Sequence, residues 1–422
     1  MTAPDGDTMV YTPSAALPAE LLAREDMQRA LQEHDFATVF QLARRHGISF
    51  GKIGASCGVK AERVGRIARD LVRVTSYDKI CEIADGLRIP GHLLGLTPRP
   101  WETTQPRGLA TPGHSNSEGT TSPVPKPGER LDSEARDWAD DELRRLERDY
   151  DLVSSSMLLA EAGQIHGVLA NATVPADSEG TRAVLELRAR SALLMGQLIW
   201  DASHRRDGGA AGSYLDQAAH AARHSRNRDV LAQALLRQSF IPLYGTGDNR
   251  GALIAAQRAV HAARGLPAVH ALAALHVSEA HARLGDRTAA EQHLREVDRL
   301  VEKADLEPGE WNGRRLRISG SVYLSLRRPQ QAQRILEEAV PLLEERAKSQ
   351  AIVVANLALA HLRQQRPDEA AAVLHDAMDL IESTRAGGAL TLVATASREL
   401  SPWRGEPWVA DVHDRLFTLM AS

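Results

Sequence analysis

Between Leu236 and Ala377 the chain repeats itself, and few folds satisfy that constraint. Four stretches carry the same order of small and apolar residues. Leu236, Ser239, Phe240, Leu243 and Gly247 precede Ala252, Ala256 and Ala259. Ala274, Val277, Ser278, His281 and Gly285 precede Ala290, Leu294 and Val297. Leu316, Ser319, Gly320, Tyr323 and Arg327 precede Ala332, Leu336 and Ala339. Val354, Leu357, Ala358, His361 and Gln365 precede Ala370, Leu374 and Ala377. The units start 38, 42 and 38 residues apart. That is room for two helices and a turn. Small residues let the helices of a pair approach closely, and the larger apolar ones fill the gap to the next pair. Aromatics are only 4% of the chain, so a core must be built from Leu, Ala and Val. Such a core favours close helix packing over a β-sandwich, and long alternating β-branched runs are absent.

The turns, LGDRTA, TGDNRG and QRPDEA, stop one helix and cap the next. On these positions the region resembles the tetratricopeptide repeat family, although its period exceeds that family's usual length of about 34 residues. An earlier pair is expected within Arg182–Ser225, a last one at Gly388–Ser397 and Pro407–Met420, and one or two helices at Asp137–Asn171. The resemblance implies a right-handed solenoid with a concave face lined by the first helix of each pair. Carried over by position, the inward residues include Arg237, Gln238, Tyr244, His276, Glu279, Arg283, Arg314, Arg317, Ser321, Asn356 and Arg363. Arg dominates, and Asn356 is placed to clamp a peptide backbone. A groove so lined suits an extended peptide or its terminal carboxylate. Ordinary solvated polar residues on a scaffold are the alternative, and both stay open.

A second stretch, Ser49–Arg69, reads as two short helices joined by a sharp turn. Ile53, Cys57, Val59, Val64 and Ile67 give each helix an apolar side. Gly58 falls at the break, where positive φ is needed. Gly54, Gly58 and Val64 have the spacing of a DNA-binding helix-turn-helix, with Ala61–Ala68 as its second helix.

Over about Ala37–Leu96 the chain resembles the Cro-like (XRE) helix-turn-helix repressor family. FATVFQLARRHGIS supplies the helix before the motif, and TSYDKICEIADGLRIPGHLLGL a fourth helix and a closing turn. Thr75 or Ser76 is the expected cap of that fourth helix, and Gly86 or Gly91 its stop. Three positions depart from the family pattern: Phe50 stands where it has a Gln that helps hold the DNA backbone, and Gly54 and Gly65 lie inside helices. Each such Gly costs ~1 kcal/mol relative to Ala. The resemblance implies that Lys60, Ala61, Glu62 and Arg66 face base edges, with Arg66 matched to guanine. Lys52, Arg63, Arg69 and Arg73 are matched to phosphate. Glu62 either accepts from cytosine or pairs with Arg66 at i,i+4, and the pairing is the expected state.

Charge agrees with that division. The net charge is −4, yet Ala37–Leu96 holds ten basic residues against five acidic ones. A basic module on an acidic chain fits phosphate binding at one end only. From Thr97 to Gly128, 20 of 32 residues are Pro, Gly, Ser or Thr, with nothing to bury. The expected organisation is a disordered 1–17, a helix-turn-helix domain 18–96, a flexible linker 97–131 and a helical repeat domain 132–422. Trp101 is expected to pack back on the first domain.

Cys57 and Cys81 make no disulfide framework, and no run of 18 apolar residues occurs, so a cytoplasmic protein is expected. Gly54-Ala55-Ser56-Cys57-Gly58 matches G-x-S-x-G, but on a helix and turn rather than after a strand, so no nucleophile is expected. His220 and His224 are four apart, yet nothing completes a metal site. Neither cofactor, metal nor catalytic residue is expected. The fold expected is all-α, a five-helix helix-turn-helix domain followed by a tetratricopeptide-like α-solenoid. The function expected is a homodimeric transcriptional regulator that binds double-stranded DNA and is controlled by a peptide or protein ligand. A scaffold whose helix-turn-helix binds protein instead of DNA is the alternative, and Phe50, Gly54 and Gly65 favour it.

Overall fold

The computed structural model describes residues 15–74, 76–96, 99, 101–102, 131–173, 178–304 and 308–421. Most of the expected N-terminal tail and linker, and Thr75, lie outside them. The described chain is helical, with no β-strand among its residues. It divides into two compact units, Met1–Ser117 and Glu118–Ser422.

The first unit holds α1 (Ala19–Leu22), α2 (Glu25–Gln32), α3 (Phe36–Arg45), α4 (Phe50–Ser56), α5 (Ala61–Ile67) and α6 (Tyr77–Leu87), closed by a 3₁₀ turn at Gly91–Leu94. Leu21, Leu31, Phe36, Phe40, Ile53, Ile80, Ile83 and Leu87 fill its core. Packing begins before residue 18. Ala15 and Leu17 are buried, and the Leu17 amide donates to the Leu87 carbonyl at 2.8 Å. It also continues past 96. The Asp85 carboxylate accepts from Arg99 Nη2 at 2.7 Å and from the Trp101 indole at 3.1 Å, while Arg88 lies 5.0 Å over the Trp101 ring. A helix carboxylate thus holds the first residues of a Pro- and Thr-rich stretch that has no apolar pattern of its own. The cap of α6 is Ser76, without a side-chain bond. The helix stops at Arg88 in the left-handed region (φ 53°), not at Gly86 or Gly91. Gly86 lies inside the helix because a Cβ there would stand 2.4 Å from the Ser56 carbonyl.

The second unit is a run of helix pairs: α7 (Ser133–Asp149) with α8 (Ser155–Asn171), α9 (Ser178–Ala202) with α10 (Gly208–Ser225), α11 (Arg228–Phe240) with α12 (Asn249–Ala262), α13 (Pro267–Arg283) with α14 (Arg287–Ala304), α15 (Pro308–Ser325) with α16 (Pro329–Ala339), α17 (Ala347–Arg363) with α18 (Pro367–Thr384), and α19 (Gly387–Glu399) with α20 (Pro407–Ala421). The four repeats fall on the pairs α11/α12 to α17/α18. Their small positions do what the spacing implied. Ser278 of α13 donates to the Ala290 carbonyl of α14 at 2.8 Å, and a Cβ on Gly320 would stand 2.4 Å from Leu336. The four aligned turn positions, Gly247, Gly285, Arg327 and Gln365, all take positive φ. Asn227, Asp248 and Asp286 cap the helices that follow their turns, each accepting a backbone N–H from three residues on at about 2.9–3.0 Å. Pro267, Pro329 and Pro367 open three others at their first position.

The array also returns on itself. Lys348, at the start of α17, donates to the Ser155 hydroxyl at 2.7 Å and stands 3.4 Å from the Asp201 carboxylate. Its ammonium lies 4.3 Å over the Tyr150 ring. Arg346 pairs with Asp151 at 3.2 Å. Asp201 also accepts from Ser155 at 2.7 Å and from the Gly388 amide at 3.4 Å. A Cβ on Gly387 would meet the Asp201 carbonyl at 2.0 Å, so only glycine allows this approach of α19 to the end of α9. The last pairs therefore close against the first across some 190 residues of sequence.

Candidate functional site

Closure turns the expected open groove of the second unit into a cavity of about 770 Å³, within the usual range of roughly 300–1,000 Å³ for small-ligand sites. Nine of the eleven groove candidates line it: Arg237, Tyr244, His276, Glu279, Arg283, Arg314, Arg317, Ser321 and Asn356. Gln238 and Arg363 do not. Gln238 donates to Asp216 at 2.7 Å, and Arg363 is exposed, bonded to the Leu324 carbonyl and 3.5 Å from Glu399. The repeats vary in helix length and turn, so position counting drifts at these two.

One wall is a polar network. A π-helical turn at Ile241–Thr246, containing Pro242, follows α11 and presents Tyr244. Pro lacks the N–H that a continuing helix needs, and π turns of this kind often mark functional sites. The Tyr244 hydroxyl donates to Glu279 at 2.6 Å and lies 3.1 Å from His276 Nδ1. Glu279, 1% exposed, also accepts from Arg283 at 3.0 Å and from Ser321 at 2.8 Å. Burial opposes its charge, but Arg283, His276 and Tyr244 hold its carboxyl well below the usual range. Burial, then Glu279, pushes the Tyr244 phenol up, and burial pulls the His276 imidazole down against the opposing pull of Glu279. The arginines Arg205 and Arg283 stack on the Tyr244 ring, at 4.7 and 5.0 Å.

Sequence position did not point to Trp200, Asp201, Arg205, Arg346 and Lys348, which also line the cavity. Trp200, Asp201 and Arg205 belong to the pair α9/α10, too divergent to align, and Arg346 and Lys348 lie at the start of α17, ahead of its aligned positions. Around the whole wall nine Arg or Lys face six Asp or Glu. Three of the nine form no ion pair among the described residues. Arg237 is held by the neutral amides of Gln197 (2.9 Å) and Gln233 (3.3 Å). Arg205 stacks on Tyr244. Arg317 keeps a buried Nε without a hydrogen-bond partner. Burial of an unpaired guanidinium is expensive, so such a wall is organised for an anion.

In the first unit α4 and α5 pack across the turn Cys57–Lys60. Ser49 caps α4 through the Lys52 amide (3.3 Å), and Gly58 takes φ 62° as the turn requires. A Cβ on Gly54 would stand 2.4 Å from the Val59 carbonyl, so this glycine serves the close turn and is not a weakness of the helix. A Cβ on Gly65 would have room, its nearest neighbour being Phe50 at 3.8 Å. Phe50 itself lies under the Arg44 guanidinium at 4.6 Å. All eight DNA candidates are exposed: Lys52, Lys60, Ala61, Glu62, Arg63, Arg66, Arg69 and Arg73. Arg73 pairs loosely with Asp70 at 3.7 Å. The expected Glu62–Arg66 pair is not formed among the described residues; an exposed i,i+4 pair gains only about 0.3–0.5 kcal/mol, too little to fix both side chains.

Ser56 ends a helix rather than following a strand, so the G-x-S-x-G match has no elbow geometry. The His220 and His224 rings on α10 are tilted at 42° with centroids 4.3 Å apart, and among the described residues no three His, Cys, Asp or Glu converge as metal ligands. No described helix is long and apolar enough to cross a membrane.

No protein family and no curated protein matches the sequence. Among solved structures, a crystal structure of a Rap protein complexed with competence and sporulation factor is similar over 68% of this chain and 77% of that one. The identity is 11% and the TM-score 0.47. The tetratricopeptide-like architecture of the second unit rests on its own helix pairs rather than on that likeness.

Proposed function

We propose that the chain is a DNA-binding regulator whose repeat unit holds a short peptide. The observation that carries the first half is the exposed basic face of the helix-turn-helix, where six Lys or Arg stand against Glu62 and Asp70. Lys60 and Arg66, at either end of α5, are the base-reading candidates. Lys52, Arg63, Arg69 and Arg73 fix the register on phosphate. A seven-residue helix spans few base pairs, so two copies on a two-fold site are required for specificity. The cavity supports the second half. Its arginines favour a carboxylate, and Asn356, 5% exposed on α17, lines the same cavity and carries an amide suited to a peptide backbone. A ligand there would touch residues from the first and last helix pairs together, so its binding energy would act on their closure.

A protein-binding scaffold is the second reading. It is favoured by Phe50, which fills the place of a backbone-holding Gln and takes up the Arg44 guanidinium. Fluorescence anisotropy with the gene's own upstream duplex and a random duplex separates the two. A regulator prefers the upstream duplex, loses affinity on Arg63→Ala/Arg66→Ala, and weakens with salt at about 0.9 log units per phosphate contact for each log unit of salt. A folded protein that binds neither duplex, with or without peptide, sinks the regulator and leaves the scaffold.

A further inference from the structure

Residues 36–61 hold no Asp or Glu, so neither α3 nor α4 carries an acid to answer the exposed Arg44. Its guanidinium makes no hydrogen bond or ion pair among the described residues. It lies instead 4.6 Å from the centroid of the Phe50 ring. That ring is half-buried, and its Cδ2 stands 3.8 Å from where a Gly65 Cβ would be. Phe50 therefore bridges α5 and the guanidinium.

Two contacts put Arg44 beside the basic face. Through Phe50 it reaches the side of α5 that holds Gly65 and, one turn earlier, Ala61 and Glu62. Gln41, one turn before Arg44 on α3, donates to the Ala68 carbonyl at 2.5 Å. This side of α3 thus faces the end of α5, where the exposed Arg69 follows. A guanidinium over a ring keeps all five N–H donors, and it loses part of its freedom before any partner arrives. A planar, pre-ordered and unpaired donor fork matches a phosphate.

We propose that Arg44 is a further DNA-backbone contact and that Phe50 is the residue that positions it. Phe50 then serves the basic face, and its ring does through Arg44 what a polar side chain at that position would do directly. The inference rests on the DNA-binding reading above and deepens it.

The test is anisotropy of the upstream and random duplexes with the full-length protein, between about 50 and 200 mM salt. Arg44→Ala should weaken both duplexes by the same factor, about tenfold, and lower the salt slope by about 0.9. Arg29→Ala removes the same charge from α2, which packs against α3 and the closing 3₁₀ turn, and should change neither duplex by more than about twofold. Phe50→Leu should cost about threefold in the wild-type background and nothing further once Arg44 is Ala, whereas Phe50→Tyr keeps the ring and should bind as wild type. Arg44→Ala removes only an exposed side chain, and circular dichroism checks that each variant is folded. An Arg44→Ala protein that binds like the Arg29→Ala control overturns the contact and leaves a DNA-binding protein. A Phe50→Leu loss that is the same with and without Arg44 overturns the positioning role. A folded wild-type protein that binds neither duplex overturns the inference and the DNA-binding reading together.

Discussion

Lys348 tests how the repeat unit closes. It is 3% exposed and bonded to Ser155 and Asp201, which come from the first helix pairs. Lys348→Met keeps the apolar stem and removes the ammonium. It leaves the Asp201 carboxylate, 7% exposed, with only the Ser155 hydroxyl and the Gly388 amide. Breaking a buried pair by removing one partner costs about 3–5 kcal/mol, because the remaining charge stays buried. Adding Asp201→Asn removes that charge too, so the double variant should recover about 1–3 kcal/mol relative to the sum of the two single effects. At about 2 °C per kcal/mol for a unit of this size, Lys348→Met should melt roughly 6–10 °C lower. Repeat arrays lose their pieces separately, so the loss should appear first at the seam. Hydrogen exchange should quicken in α8 and α19 and change little in α12 and α14. A single variant within 1 kcal/mol of wild type, or strictly additive effects, would refute the buried-pair account of closure.

Burial lowers the His166 imidazole to about 4, beside Ser191 at 3.0 Å and edge-on to Tyr214. The unfolded chain takes up that proton near pH 6.5 and the folded one only near pH 4, so this contribution to stability is complete above 6.5 and lost on acidification. It should amount to about 2 kcal/mol between pH 6.5 and 5, and His166→Asn should flatten that slope in denaturant titrations. Gly65→Ala should stabilise the first unit by ~1 kcal/mol, and Gly54→Ala should destabilise it, since a Cβ fits at one and strikes a carbonyl at the other; the two melting shifts should have opposite signs. The native protein should show one thiol to iodoacetamide, at half-buried Cys81, because Cys57 is buried and its thiol is pushed up to about 12, chiefly by desolvation; equal labelling of both would contradict the packing.

The repeats were legible because hairpin packing is local. Ser278 meets Ala290, and Gly320 meets Leu336, within one unit and at fixed spacing. The short helices α4 and α5 and the turn between them were legible for the same reason, through Gly58 and the apolar Ile53, Val64 and Ile67. Closure was not, since Lys348, Asp201 and Gly388 meet across 147 to 187 residues and carry no shared period. Of the cavity, sequence supplied the face on α11 to α17, while Arg205 and Trp200 stayed hidden because their helix pair departs from the repeat. Gly54 was misread for a related reason. Helix propensity counts a missing Cβ as a defect, whereas the neighbouring turn requires that absence.

Ligand-linked DNA binding is the claim on which the two units meet, and one titration reaches it. Anisotropy of the upstream duplex is followed with and without a saturating amount of the tightest peptide from a fully randomised mixture. The account predicts a shift in the DNA midpoint of about 5- to 150-fold, with the same factor in the peptide's affinity when DNA is present. A peptide that binds the cavity and leaves the DNA midpoint unmoved would contradict it.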